Sequence, residues 1–286
     1  MSHELIQFKK QHELGEILSL TFKFLRQNYK AAGKIFIKIV GPAFLLLIAA
    51  ATYYAWSSIG TSFFSTSGIE GSDFLISFGL MMLAYMLYVS TMTGTVYHII
   101  LSYIYHQGEI ISSEVTAGMK ADFGKLLLLT LISWLLIFAG MILFIIPGIY
   151  LFVPLSLTTA ILVFRREGVM ESISQAFRLI KENWWMTFAT LLCIGIIVYL
   201  ISLVFQLPFI IYIFFRAFTV ASEGSAADPG EMLGTGYVIL NIFTSTIQYL
   251  IYSITPIGVA FVYFNLNEKQ NFTGTYESIQ NLGNNN

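Results

Sequence analysis

The sequence predicts an all-α membrane protein: a six-span helical bundle with two amphipathic interfacial helices and a parallel internal repeat. Three observations point to it. Apolar residues fill 56% of the 286 positions and charged residues 11%, with a mean hydropathy of +0.74, whereas soluble domains carry about a quarter charged residues. Several apolar runs exceed the roughly 18 residues that mark a crossing of a hydrocarbon core about 30 Å thick. Six crossings would also place every Lys and Arg except Arg216 on one side of the membrane.

Residues 1–12 read as a polar tail. Between 13 and 30, Leu14, Leu18, Phe22, Leu25 and Tyr29 recur at the spacing of one helical face. Lys23, Arg26 and Lys30 flank that stripe, so this helix is expected to lie in the headgroup plane. The first span follows at 33–56, with Lys34 and Lys38 able to snorkel to the near surface. Residues 57–73 are rich in Ser, Thr and Gly, acidic, and free of Lys and Arg. The second span, 74–106, is longer than a bilayer needs and must tilt or project.

Residues 107–123 are polar, with a helix start expected near Ser112 or Ser113. The third span is 124–146. Carrying it through to Phe164 would make a helix of about 60 Å, so Pro147-Gly148 reads as a turn. Residues 149–164 then return as a short fourth span, or as the second limb of a re-entrant hairpin. Arg165-Arg166 ends that run. The second amphipathic helix, 169–183, leads to Trp184-Trp185, a pair suited to the membrane interface. The fifth span covers 184–207. Residues 208–221 are apolar but short, better suited to a re-entrant or interfacial piece than to a crossing. The last span is 232–266, broken near Pro256, and 267–286 read as a polar tail.

The positive-inside rule makes the basic side cytoplasmic, with both termini on it. A seven-span version, with 208–221 crossing and the C-terminal tail outside, is the alternative. A shift of 155 residues superposes the amphipathic stripes: Leu14 on Val169, Leu18 on Ile173, Phe22 on Phe177, Leu25 on Ile180 and Tyr29 on Trp184. Polar positions match as well, with Glu16 on Glu171, Lys23 on Arg178, Arg26 on Lys181 and Asn28 on Asn183. Span two carries a polar face of Tyr88, Thr91, Thr95, His98 and Ser102. The last span carries Asn241, Ser245, Gln248, Tyr252 and Thr255. Units 13–106 and 168–266 would thus be parallel repeats separated by the 124–164 hairpin.

Catalysis or metal binding needs convergent His and carboxylate groups. His3 and His12 sit in the tail; His98 has no carboxylate three or four residues away, and His106 has only Glu109, in the polar 107–123 stretch. Neither a catalytic residue, nor a cofactor, nor a metal site is expected. The single cysteine, Cys193, lies mid-span and reads as packing. A formal charge of −1 gives no case for nucleic acid, and no cleavable signal peptide is expected.

The polar faces have two readings. They are either interhelical hydrogen-bond glue or the lining of a cleft between spans two and six. Phe22, Lys23, Arg26, Phe177, Arg178, Lys181 and Arg216 are the expected lipid or partner contacts. Arg216 is expected to pair with Glu223, Asp228 or Glu231 at the far interface.

The stretch from Ile146-Pro147-Gly148 through Gln175-Ala176-Phe177 to Asn183-Trp184 carries a further signal. It resembles the bacterial membrane family grouped with the membrane domain of glycerophosphoryl diester phosphodiesterases and the YciC-like proteins. The N-terminal GEILSLTFKFLRQNYK and the C-terminal VYFNLNEKQNFTGTYESIQNLG are similar to Bacteroidetes members of that group. The resemblance implies a six-span inner-membrane protein. Phosphodiesterase activity is not implied, because it belongs to a separate soluble domain with no counterpart in this sequence. The expectation is a non-enzymatic scaffold or accessory subunit of an envelope membrane complex, whose partners are membrane lipids and other membrane proteins. The alternative is a small transporter or lipid-handling protein.

Overall fold

A computed structural model describes residues 5–57, 72–222 and 235–284. The described chain is helical, with no strand. Its elements are α1 (Leu14–Ser57), α2 (Ser72–Tyr105), α3 (Ser112–Leu143), α4 (Ile145–Leu155), α5 (Thr158–Arg165), α6 (Val169–Ile180), α7 (Trp184–Ser222), α8 (Thr235–Ile251), α9 (Ile254–Asn271) and α10 (Thr273–Asn284). Taking α4 with α5, and α8 with α9, six helical stretches are long and apolar enough to cross a membrane. This is a multi-pass membrane protein.

Several boundaries differ from the sequence reading. The first amphipathic helix does not separate from the first span: α1 runs unbroken for 44 residues, about 66 Å at 1.5 Å per residue. At the second amphipathic segment the chain does turn, at 181–183, between α6 and α7. The matched asparagines behave differently. Asn183 accepts the amide of Thr187 on its carbonyl (2.9 Å) at the start of α7, the position where Asn is favoured. Asn28 instead donates its side-chain amide to the Phe24 carbonyl (3.0 Å) inside a continuing helix.

The hairpin reverses at Phe144, not at Pro147-Gly148. Phe144 is extended (φ −164°, ψ 152°), and Pro147 is the third residue of α4, where the missing proline N–H leaves no bond unmade. Gly148 serves the packing. A Cβ there would lie 3.0 Å from the Met141 amide nitrogen, and one on Gly140 would lie 3.1 Å from Gly148 Cα. The two limbs therefore meet backbone to backbone. Pro256 repeats the arrangement as the third residue of α9, just past the interruption at 252–253. Residues 208–221 form no separate re-entrant piece; they continue α7, with Pro208 inside the helix.

The chain divides into two compact units. One comprises Met1–Val40, Val89–Ile196 and Ser253–Asn286; the other comprises Gly41–Tyr88 and Ile197–Tyr252. The first holds the helical hairpin and both terminal segments. Its core is aromatic: Phe8 stacks on Phe261 (4.3 Å between centroids, 11° between planes), with Phe24, Tyr103 and Phe264 around it. Residues 5–12 are thus not a free polar tail, since Ile6 and Phe8 are buried. The C-terminal segment is likewise helical and tied down. The second unit is held by Tyr88 against Phe44 and Tyr249, and by Gln206 donating to Gln248 (2.9 Å).

Apart from the stripe residue Ile180, the buried residues of the amphipathic helices lie one position away from the stripes the periodicity selects. In α1 the buried residues include Ile17, Thr21 and Phe24; in α6 they are Ser172, Ala176, Leu179 and Ile180. Ile17, Thr21 and Phe24 stand 155 residues before Ser172, Ala176 and Leu179, the same shift that aligns the outer stripes. Phe22 and Phe177 are half-buried, and Tyr29 is exposed.

Candidate functional site

Polar chemistry in the first unit concentrates where the last turns of α9 meet the end of α5. Arg165 donates from Nε to the Tyr263 hydroxyl (3.2 Å). Its two terminal nitrogens donate to Gln175 Oε1 (2.7 Å) and Asn267 Oδ1 (2.6 Å). The nearest carboxylate, Glu167 Oε1, stands 3.8 Å away and accepts from Gln175 (3.0 Å). The guanidinium is therefore held mainly by neutral acceptors, Gln175 on α6 and Tyr263 and Asn267 on α9. Arg166 follows in the left-handed conformation (φ 56°) and turns the chain into α6.

Around this knot lies a pocket of about 300 Å³, with Lys9, Phe164, Arg165, Asn267, Asn271 and Glu277 among its lining residues. Lys9 pairs with Glu277 (2.5 Å), joining the two terminal segments across it. The buried Glu268 accepts the amides of Gly274 (2.7 Å) and Thr275 (3.0 Å) and the Thr275 hydroxyl (2.6 Å). A carboxylate is thereby placed at the N-terminus of α10, where exposed backbone amides favour negative charge. Gly274 is needed because a Cβ there would collide with the Lys9 carbonyl. His12, assigned to the tail by sequence, donates its backbone amide to Asn265 Oδ1 (3.0 Å).

Sequence spacing gave His98 no carboxylate; the fold supplies one to each of the two mid-chain histidines. His98 Nε2 lies 3.3 Å from Asp122 Oδ2, an ion-pair separation without hydrogen-bond alignment. His106 Nε2 lies 2.8 Å from Glu114 Oε2. The other edge of the His98 ring rests on α3 at Gly118, where a Cβ would stand 2.5 Å from Nδ1. The imidazole is wedged between a carboxylate and a helix backbone, which leaves it holding α2 to α3. Among the described residues no group of three His, Cys, Asp or Glu side chains could hold a metal ion.

The two polar faces fare differently. Tyr88, Thr91, Thr95, His98 and Ser102 are all buried. Ser102 accepts the Ile111 amide (2.9 Å), and Tyr88 donates to the Tyr249 carbonyl (2.7 Å). Asn241, Ser245, Gln248, Tyr252 and Thr255 are half-buried, and Gln248 donates to the Tyr252 hydroxyl (2.5 Å). Thr91 and Thr95 share the α2 face with His98, and their burial is that of packed helix contacts. Of the expected surface contacts, Arg26, Arg178 and Lys181 are exposed, while Lys23 and Arg216 are half-buried. Glu223, Asp228 and Glu231, proposed partners of Arg216, lie outside the described residues.

Arg165 and Trp184 are the two positions at which sequence reading came closest to the organising contacts, as a basic run-end and an aromatic anchor. Their partners Tyr263, Asn267 and Tyr150 carry no local signal. No family model, curated protein or solved structure matches the chain.

Proposed function

We propose that this protein is a non-enzymatic scaffold or accessory subunit of an envelope membrane complex, seated in a bacterial inner membrane with both termini in the cytoplasm. One observation carries the reading: several of the polar groups that could line a solute path are taken up by internal contacts. Tyr88, Ser102 and Gln248 bond within the protein, and His98 packs on Gly118. The outward stripes, by contrast, keep Phe22 and Phe177 half-exposed, with Arg26 and Arg178 beside them. Such faces suit a partner helix or the headgroup layer.

Orientation rests on the placement of Lys and Arg. The shared 155-residue shift of inner and outer stripes supports a duplicated unit of one amphipathic helix and two spans. The test is purification of the native assembly in mild detergent with mass spectrometry of what accompanies it. The scaffold reading expects a stoichiometric membrane protein that is lost on Phe22→Ala or Phe177→Ala. A solitary protein carrying one small solute, lost on Thr95→Leu or Gln248→Leu, would replace it with the transporter.

A further inference from the structure

A groove of about 640 Å³ runs beside the α6–α7 turn. Its size falls in the range of ligand sites, about 300–1,000 Å³. The walls are apolar and aromatic: Ile146 and Ile149 come from the hairpin, and Trp184, Trp185 and Phe188 from α7. Its frame is rigid. The Trp184 indole stacks on Tyr150 (5.5 Å, 16°) and on Phe188 (5.3 Å, 10°), and its N–H donates to the Tyr150 carbonyl (3.3 Å). That oxygen is the one Pro154 leaves without an intrahelical donor.

At the mouth stand Lys181, Glu182 and Asn183. Lys181 and Glu182 are exposed, and among the described residues neither has an ion-pair partner. A cation and an anion on consecutive residues, above an apolar channel edged by tryptophan, match one membrane component. Tryptophan settles at headgroup depth, so the charges lie among headgroups and the apolar walls among acyl chains.

We propose that this groove is a binding site for a phospholipid with a phosphate and a primary ammonium in its headgroup, a phosphatidylethanolamine. Lys181 takes the phosphate. Glu182 accepts from the ammonium, with Asn183 Oδ1 as a second acceptor. One acyl chain lies along Ile149, Trp184 and Phe188. Glu182 disfavours an anionic headgroup such as phosphatidylglycerol, and a quaternary choline has no N–H to donate to the carboxylate.

The test uses the full-length chain with Trp56→Phe and Trp134→Phe, which leaves Trp184 and Trp185 as reporters. Delipidated protein in detergent is titrated with dibromo-acyl phosphatidylethanolamine, phosphatidylglycerol or phosphatidylcholine, and tryptophan quenching is read. Phosphatidylethanolamine should half-saturate quenching at a mole fraction about fivefold below the other two, the factor expected of one headgroup charge contact. Glu182→Lys should invert the preference toward phosphatidylglycerol, and Lys181→Glu should abolish it. Both positions are exposed, and an unchanged thermal midpoint verifies that each variant folds. Should a variant fail to fold, native mass spectrometry of lipid adducts on the parent chain decides by the same order of headgroups. Equal quenching by all three lipids, or a preference unmoved by both charge changes, overturns the site.

Discussion

Phe8, eight residues into the chain, stacks on Phe261 with ring centroids 4.3 Å apart, and Phe24, Tyr103 and Phe264 close around the pair. The segment carrying it is pinned at both ends: Ile6 donates its amide to the Tyr103 hydroxyl (3.0 Å), and His12 donates its own to Asn265. An extended strap thus completes the aromatic core between α1, α2 and α9. Phe8→Ala should destabilise the protein by about 3–5 kcal/mol, the usual cost of emptying a buried aromatic site. Thermal unfolding in detergent measures it, and Leu5→Ala, at an exposed position, serves as the control.

The Arg165 knot needs a planar fork. Three donors reach three acceptors on α6 and α9, a pattern that a lysine ammonium on a flexible stem does not reproduce. Arg165→Lys should cost about 1–3 kcal/mol by leaving part of that acceptor set unpaired. Protease sensitivity of the 166–168 turn should rise with the loss.

Glu268 tethers α10. Glu268→Gln keeps the size but halves the accepting oxygens, so about 1 kcal/mol of capping should be lost. Hydrogen exchange at the Gly274 and Thr275 amides should accelerate, while the amides of α6 remain as protected as before.

The seam between α2 and α3 depends on glycines. A Cβ on Gly94 would collide with Leu126, and one on Gly118 would stand 2.5 Å from His98. Gly94→Ala and Gly118→Ala should each destabilise by about 1–3 kcal/mol through overpacking. His98→Ala should relieve the Gly118→Ala defect, giving a non-additive double-mutant cycle.

The spans were legible because crossing a bilayer is a demand on local composition. The facing of the helices was less so. Periodicity selected Leu14, Leu18, Phe22 and Leu25, whereas the buried α1 residues nearby are Ile17, Thr21 and Phe24. Lipid is as apolar as a protein interior, so hydrophobicity cannot tell a lipid-facing stripe from a packed one. The better signal was small residues, visible as Thr21, Ser172 and Ala176. The Pro147 and Pro256 breaks were anticipated to within a few residues, since proline disturbs the turn before it.

By itself, then, the sequence determined an all-α, six-stretch membrane protein with two amphipathic segments and a strong charge asymmetry. Each of these is a property of a window of consecutive residues. Only the tertiary structure decided that α1 runs on where the chain turns after α6, and that a nominal tail supplies the core with Phe8. It also decided that Asp122 meets His98 and that Arg165 is held by Tyr263 and Asn267. These contacts join positions 24 to 253 residues apart, and their energies depend on which helices become neighbours. No local pattern of apolar and polar residues carries that information.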